Sequence, residues 1–153
     1  WALPMTGTDR TPFPVASTSF QERLGEFSPD AHWIAYDTTE SGRPEIVVQA
    51  FPKAREQIAV STAGGTAPRW SADGREIYFI APDGPMMAVP VEAKGSTLTL
   101  GTPVSLFPTR ITGITGQAFK AQYAVSSDGR FLINNAAESS APPITVILNV
   151  KPS

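Results

Sequence analysis

Hydrophobic residues in this chain occur in short runs, and segments rich in Gly, Pro, Ser and Asp separate them. Several runs are dominated by β-branched and aromatic residues, as in 76–80 (EIYFI) and 45–51 (EIVVQAF). Runs of this kind are typical of buried β-strands. No segment shows the apolar period of about 3.6 residues that marks an amphipathic helix. The pattern therefore predicts an all-β protein of short strands. The predicted strands are 22–27, 32–37, 45–51, 57–60, 66–70, 76–80, 86–91, 103–107, 118–125, 131–135 and 144–150.

A Ser-x-Asp turn occurs three times, and an apolar strand follows it each time. An Asp carboxylate can accept backbone N–H groups in a turn, and Gly takes a positive φ without steric cost. We therefore assign the Asp and Gly residues of these turns to turn formation rather than to catalysis. They are Asp30, Asp73, Gly74, Asp128 and Gly129. Ala31 replaces Gly in the first turn, which predicts that this turn is strained or of another type.

The spacing of the turns indicates a repeated unit. The aspartates at 30, 73 and 128 are 43 and 55 residues apart, and the excess falls in the connectors 94–101 and 109–117. A repeat of about 40 to 45 residues with four strands is the period of a β-propeller blade. A β-sandwich is the alternative, but a sandwich does not require the same turn at the same place in every unit. The predicted fold is all-β, with propeller blades of four antiparallel strands.

The blades are unequal along the chain. Residues 22–60 and 66–107 read as complete blades, 1–16 as the outer strands of another, and 118–150 as a blade without its fourth strand. Propellers need about four to eight blades, so this set cannot close a ring. Because unpaired strand edges associate, we expect a homodimer in which the amino-terminal strands of one chain complete the carboxy-terminal blade of the other. That arrangement has three blades per chain and six in the ring.

The alternative is that the chain is part of a single-chain propeller. It starts without Met inside an apolar run, so we expect it to be a fragment of a longer protein.

Composition and charge exclude several function classes. The net charge is −2, charged residues make up 17%, and the Lys and Arg residues are scattered, which argues against binding to nucleic acid. No apolar run approaches the roughly 20 residues of a membrane span, so we expect no direct membrane insertion. With no Cys and a single His, His32, which we expect to be exposed after its turn, we predict neither a metal nor a cofactor. No catalytic constellation appears, and the chain is predicted not to be an enzyme.

Polar residues on the innermost strands are the candidates for ligand binding. In a propeller these strands surround the central channel, where ligands would bind. The candidates are Glu22, Arg23, Arg69, Lys120 and Gln122. The alternative is that they line a solvated channel without a specific ligand. The sequence does not identify a ligand.

The segments FSPDAHWIAY, RWSADGREIYFIAPDG and VSSDGRFLIN resemble the TolB-like, or WD40-like, propeller repeats. The order of SGRPEIVVQAFP, STAGGTAPRW and APPITVILNV is closer still to the carboxy-terminal propellers of certain bacterial serine/threonine protein kinases. In that family the propeller follows a kinase domain and a membrane span. The resemblance therefore implies an extracytoplasmic or periplasmic sensor or protein-interaction module.

Two other functional readings remain open. The chain could be the gating propeller of a prolyl-oligopeptidase-like serine peptidase, which requires a separate hydrolase domain. What the parent gene encodes beside this segment distinguishes that reading from the kinase. A propeller lyase or hydrolase would require clustered His and acidic residues, which this chain lacks.

Overall fold

The computed structural model describes residues 1–53, 56–111 and 122–134, and the backbone of 144–147. Within these residues the protein is all-β, and every strand pairing is antiparallel. No helix in this part of the chain is long and apolar enough to cross a membrane. The all-β prediction is confirmed.

Where the structure describes them, the strands follow the predicted runs closely; residues 118–121, 135 and 148–150 of the predicted strands and 112–117 of the predicted connector lie outside the described residues. In chain order they are β1 (Glu22–Phe27), β2 (Trp33–Thr38), β3 (Glu45–Ala50), β4 (Ile58–Ala59), β5 (Thr66–Trp70), β6 (Glu76–Ile80), β7 (Pro85–Lys94), β8 (Thr97–Leu100), β9 (Val104–Pro108), β10 (Tyr123–Val125), β11 (Phe131–Asn134) and β12 (Ile144–Ile147). Sheet 1 has the order β1-β2-β3-β4, and sheet 3 the order β10-β11-β12. Sheet 2 has the order β5-β6-β7-β9, and β8 pairs with the distal half of β7.

The prediction of a connector at 94–101 was wrong, because this segment contains β8. β7 continues to Lys94, and Val91–Lys94 pairs with β8 through a hairpin. The Thr-Leu-Thr-Leu alternation of β8 is the two-residue period of a strand, and Leu98 is buried in the core between sheets 1 and 2. The signal was present, but the neighbouring Gly and Ser residues obscured it.

The three sheets stack face to face in chain order. One face of sheet 1, with Trp33 and Ile46, packs on one face of sheet 2, with Ile77 and Phe79. The opposite face of sheet 2 packs on sheet 3. This alternation follows from the strand period of two, which sends successive side chains of β6 to opposite faces. Within the described residues the sheets do not close into a ring.

The amino-terminal segment covers part of the remaining face of sheet 1. Val15 and Ala16 pack against Ile34, Tyr36 and Val47. The two ends of the segment meet in a single antiparallel bridge between Ala2 and Phe13. The segment thus lies where the stack of sheets would continue on the far side of sheet 1.

The three Ser-x-Asp turns share one hydrogen-bond pattern. Ser28 Oγ donates to Asp30 Oδ1 at 2.5 Å, and Ser71 Oγ donates to Asp73 Oδ1 at 2.7 Å. Ser126 Oγ makes the same bond to Asp128. These serine hydroxyls lower the pKa of each aspartate, and further hydrogen bonds from the turn add to the effect. The bonds hold the turns in the same form in all three sheets.

The strain predicted for the first turn is confirmed. Ala31 has a φ of +55°, whereas Gly74 and Gly129 occupy the same position with φ of +72° and +79°. The first turn therefore keeps the shared geometry and places an alanine in the left-handed region, which L-residues other than Asn and Asp rarely occupy.

Candidate functional site

The first strands of the three sheets, β1, β5 and β10, lie side by side along one edge of the stack, with β5 between the other two. Both β1 and β5 carry a β-bulge, between Arg23 and Glu26 and between Thr66 and Arg69. At each bulge one non-glycine residue has a positive φ, Leu24 at +51° and Ala67 at +57°. These two residues are 43 apart, like the turn aspartates, so the bulge belongs to the repeat. A bulge bends its strand and redirects the following side chains.

One guanidinium joins all three first strands. Arg69 Nη1 lies 3.1 Å from Glu26 Oε2 on β1, and the Arg69 guanidinium carbon lies 5.9 Å from the ring centroid of Tyr123 on β10. Trp70 Nε1 donates to the carbonyl of Glu26 at 3.3 Å, and Tyr123 Oη donates to the carbonyl of Ala67 at 2.8 Å. This edge is therefore held by a continuous set of polar and cation–π contacts.

Burial raises the pKa of two side chains along this edge. Desolvation raises the pKa of Glu26, and the charge and hydrogen bond of Arg69 oppose that effect without cancelling it. Desolvation also raises the pKa of the fully buried Tyr123 well above its usual range. The burial favours the protonated phenol, which donates to the carbonyl of Ala67.

A second ion pair lies at the start of β1. Arg23 Nε is 3.0 Å from Asp37 Oδ1, and the two residues are cross-strand partners in β1 and β2. The Asp37 side chain is fully buried, and its Oδ2 has no hydrogen bond of good geometry among the described residues, although the backbone of Ala67 lies beside it. Desolvation raises the pKa of Asp37, against the hydrogen bond and charge of Arg23. Such a carboxylate depends on its arginine for compensation.

Two more of the predicted residues, Glu22 and Gln122, lie on or next to the first strands and have other partners. Glu22 is half-buried at the start of β1 and accepts a hydrogen bond from Thr18 Oγ1. Gln122 precedes β10, and its Oε1 accepts a hydrogen bond from Asn134 Nδ2 at 3.2 Å. Lys120 lies outside the described residues. In the contacts given above, each predicted residue is paired with a residue that was not predicted, and not with another predicted residue.

Three partners of the predicted residues were missed from the sequence: Glu26, Asp37 and Tyr123. Asp37 lies on the same face of its strand as the apolar residues Trp33 and Ala35. A carboxylate on the buried face of a strand indicates a buried ion pair. The repeat places Glu26 and Arg69 at equivalent positions, 43 residues apart and opposite in charge. Comparing the aligned repeats by charge would have indicated their pairing.

The described residues contain no group of three or more His, Cys, Asp or Glu placed to hold a metal ion. His32 is exposed as predicted, with 73% of its side chain accessible, and its Nδ1 lies 3.2 Å from Asp30 Oδ2. Ser28 Oγ bonds to the same carboxylate. The serine and the histidine therefore both bond to the aspartate, whereas a hydrolytic triad places the histidine between the other two. The geometry of this cluster is that of a turn.

Neither a scan against protein-family models nor a search of curated proteins gave a match for this chain. The propeller-repeat family therefore stays a prediction from the residues quoted above. The structure establishes the coarser statement, an all-β chain of antiparallel sheets.

Proposed function

We propose that this chain is a non-catalytic binding module built from β-propeller blades. One observation carries the proposal: the first three strands of each sheet lie in chain order, successive sheets pack face to face, and the same Ser-x-Asp turn follows each first strand. Propeller blades are related to one another in this way around a central axis. On this proposal β1, β5 and β10 are the innermost strands.

The binding surface that we propose is the edge formed by these strands. Glu22, Arg23 and Arg69 lie there half-buried, and ion pairs hold both arginines in place. Charged groups fixed by neighbours suit recognition, because less side-chain freedom is lost when a ligand binds. His32 takes part in a hydrogen-bonded turn, and the arginines of this edge are paired with carboxylates. Both arrangements favour a binding role over a catalytic one.

We further propose that the module is the carboxy-terminal sensor part of a bacterial receptor-type serine/threonine kinase, outside the cytoplasm. The support is the order of motifs in the sequence, from SGRPEIVVQAFP to APPITVILNV. Reading the parent gene on both sides of this segment tests the proposal. A kinase domain and a membrane span upstream would support it. An α/β-hydrolase with a serine elbow would replace it with the gating propeller of a peptidase.

The proposed module closes its ring with a second copy of the chain. Two surfaces of the stack are incompletely covered. On sheet 3, Leu132 is 49% exposed between the buried Phe131 and Ile133. On sheet 1, a groove of about 950 Å³ lies between the amino-terminal segment and β1 and β2, beside the exposed Trp1. Because sheets 1, 2 and 3 already stack on one another, we propose that sheet 3 of the second copy enters this groove and continues the stack.

Light scattering on a sizing column tests the closure. We expect the mass of two chains, since both open surfaces are then buried. Leu132→Lys should yield the monomer, because the new charge would lie within the sheet-to-sheet interface. Val104→Lys is the matched control, since Val104 is a 39% exposed apolar residue on β9, away from the proposed interface. A wild-type monomer, or the same mass for both variants, would overturn the ring.

A further inference from the structure

A cleft of about 750 Å³ separates the loops of sheets 1 and 2 at the end of the stack where β1 and β5 begin. Its walls come from the connection between β2 and β3 and from the turn between β6 and β7. Ile80, Pro82 and Ile111 supply apolar lining. Sites for small molecules measure about 300–1,000 Å³ and combine apolar walls with a few polar groups. The cleft has the dimensions of such a site.

The charges that line the cleft are predominantly positive. Among the described residues of its lining, three are arginines, Arg23, Arg43 and Arg110, and one is a carboxylate, Asp83. A guanidinium binds carboxylate and phosphate oxygens through a planar set of donors, which favours it over lysine for such groups. Carboxylates behind the lining compensate two of these charges, so the cleft suits an anionic ligand through its guanidinium donors rather than through a net positive charge.

Buried carboxylates orient two of these arginines. Arg23 Nε bonds to Asp37, and Arg43 Nε lies 2.7 Å from Glu45 Oε1. Arg43 Nη2 also donates to the carbonyl of Thr62 at 2.6 Å. Neither Asp37 nor Glu45 belongs to the lining, so both act from behind the arginines. Donors held in this way are preorganised for a ligand.

We propose that this cleft binds a small organic anion. Its carboxylate or phosphate group is held by Arg23, Arg43 and Arg110, and its apolar part contacts Ala81 and Pro82, which are the accessible apolar residues of the turn. The proposal rests on the binding function proposed above and names its ligand class. The arginines proposed to hold the anion all belong to one chain, so the titration does not depend on the second copy. Failure of the titration and failure of the ring closure are therefore separate results.

The test is a titration of the full 153-residue chain with phenyl phosphate and, separately, with benzoate, followed by backbone amide NMR. Gly64, Gly65 and Gly84 line the cleft and report on it. Gly74 and Gly129, in turns at the other end of the sheets, are internal references. We expect saturable shifts of the three cleft signals and no shift of the references. Saturation by one probe alone supports the site and identifies the phosphate or the carboxylate as the preferred group.

Two variants locate the binding energy. Arg110→Gln and Arg43→Gln should each raise the dissociation constant by about tenfold or more, because each removes a charge-assisted hydrogen bond to the ligand. Arg75→Gln makes the same charge change at the opposite end of sheet 2 and should leave the constant unchanged. If Arg43→Gln disturbs Glu45, Arg43→Lys takes its place, because lysine keeps the positive charge beside that carboxylate. The reference glycine signals report whether each variant is folded.

Two outcomes would overturn the proposal. The first is the absence of a saturable shift with either probe. The second is the same affinity in the two cleft variants and in Arg75→Gln, which would mean that the anions bind without using the arginines of the cleft.

Discussion

Ala31 occupies the left-handed position that glycine occupies in the two equivalent turns. The turn keeps its geometry because Ser28 and Asp30 hold it, with Ser28 Oγ also accepting the amide of Trp33 at 3.0 Å. An L-residue in this conformation costs about 1–2 kcal/mol. The hydrogen bonds of the turn and the burial of the strand that follows offset this cost.

Ala31→Gly should therefore stabilise the protein. We expect a gain of about 0.5 kcal/mol in the free energy of unfolding, since relief of strain exceeds the added freedom of the unfolded glycine. Gly129→Ala is the matched reverse change: an added Cβ would have no neighbour within 4 Å, so only the backbone conformation, at φ +79°, is affected. That variant should lose about 1 kcal/mol. Urea unfolding of both variants measures the difference, and destabilisation by Ala31→Gly would contradict the strain argument.

Among the elements, β3 is tied to the connector between β4 and β5 through the carboxylate of Glu45. Its oxygens accept hydrogen bonds from Ser61 Oγ at 2.5 Å and from the Gly64 amide at 2.9 Å, in addition to Arg43. Gly64 is required there, because an added Cβ would lie 2.4 Å from Pro82 Cγ. Desolvation raises the pKa of Glu45, but the hydrogen bonds from Ser61, Arg43 and Gly64 outweigh it and the pKa is lowered. This carboxylate therefore positions the connector between sheets 1 and 2.

Glu45→Gln should destabilise the protein by about 1–3 kcal/mol at pH 7, because it disrupts charge-assisted bonds to buried donors. A carboxyl group whose pKa is lowered on folding contributes stability above its unfolded pKa and loses it as the pH falls through the folded pKa. The difference between wild type and variant should thus shrink below about pH 4.3, the usual glutamate value. Urea unfolding of wild type and Glu45→Gln, at pH 7 and below about pH 4.3, measures this difference. Glu92→Gln, at an exposed pair with Lys94, should change little, and a difference independent of pH would refute the electrostatic role.

In the whole molecule, sheet 2 holds the other two sheets through separate cores. Ile77 and Phe79 of β6 face sheet 1, whereas Tyr78 and Ile80 face sheet 3. Among the described residues, each core thus joins sheet 2 to one of the other sheets, and Leu24 of β1 also packs against the core on the sheet 3 side. In such a linear stack, stability is a sum of local and nearest-neighbour terms.

Ile80→Ala and Ile77→Ala should consequently affect different parts of the stack. Each removes a fully buried side chain and should cost about 2–5 kcal/mol. By hydrogen exchange, Ile80→Ala should expose the amides of β10 and β11 and leave those of β2 protected. Ile77→Ala should increase exchange in β2 and β3. Equal acceleration throughout the chain in both variants would show a single cooperative unit instead.

Much of the fold was predictable from local pattern. The β-branched and aromatic residues of β6 and the Asp73-Gly74 turn identify a hairpin without reference to the rest of the chain. The spacing of the three aspartates revealed the repeat. These signals are local because strand period and turn chemistry depend on residues a few positions apart. β8 was missed only because its short alternation lies beside glycine and serine.

The candidate site was less predictable, because its contacts join residues that are distant in sequence. Arg23 and Arg69 lie on the first strands, where the sequence places them, but their partners Asp37, Glu26 and Tyr123 were not predicted. The bulges in β1 and β5 redirect these side chains, and the stacking of the sheets decides which of them meet. The arginine-lined cleft arises in the same way, from loops of two sheets that approach each other once the cores between them are packed. Neighbouring residues therefore determine where strands and turns form, whereas the pairing of charges depends on strand register and on the stacking of the sheets.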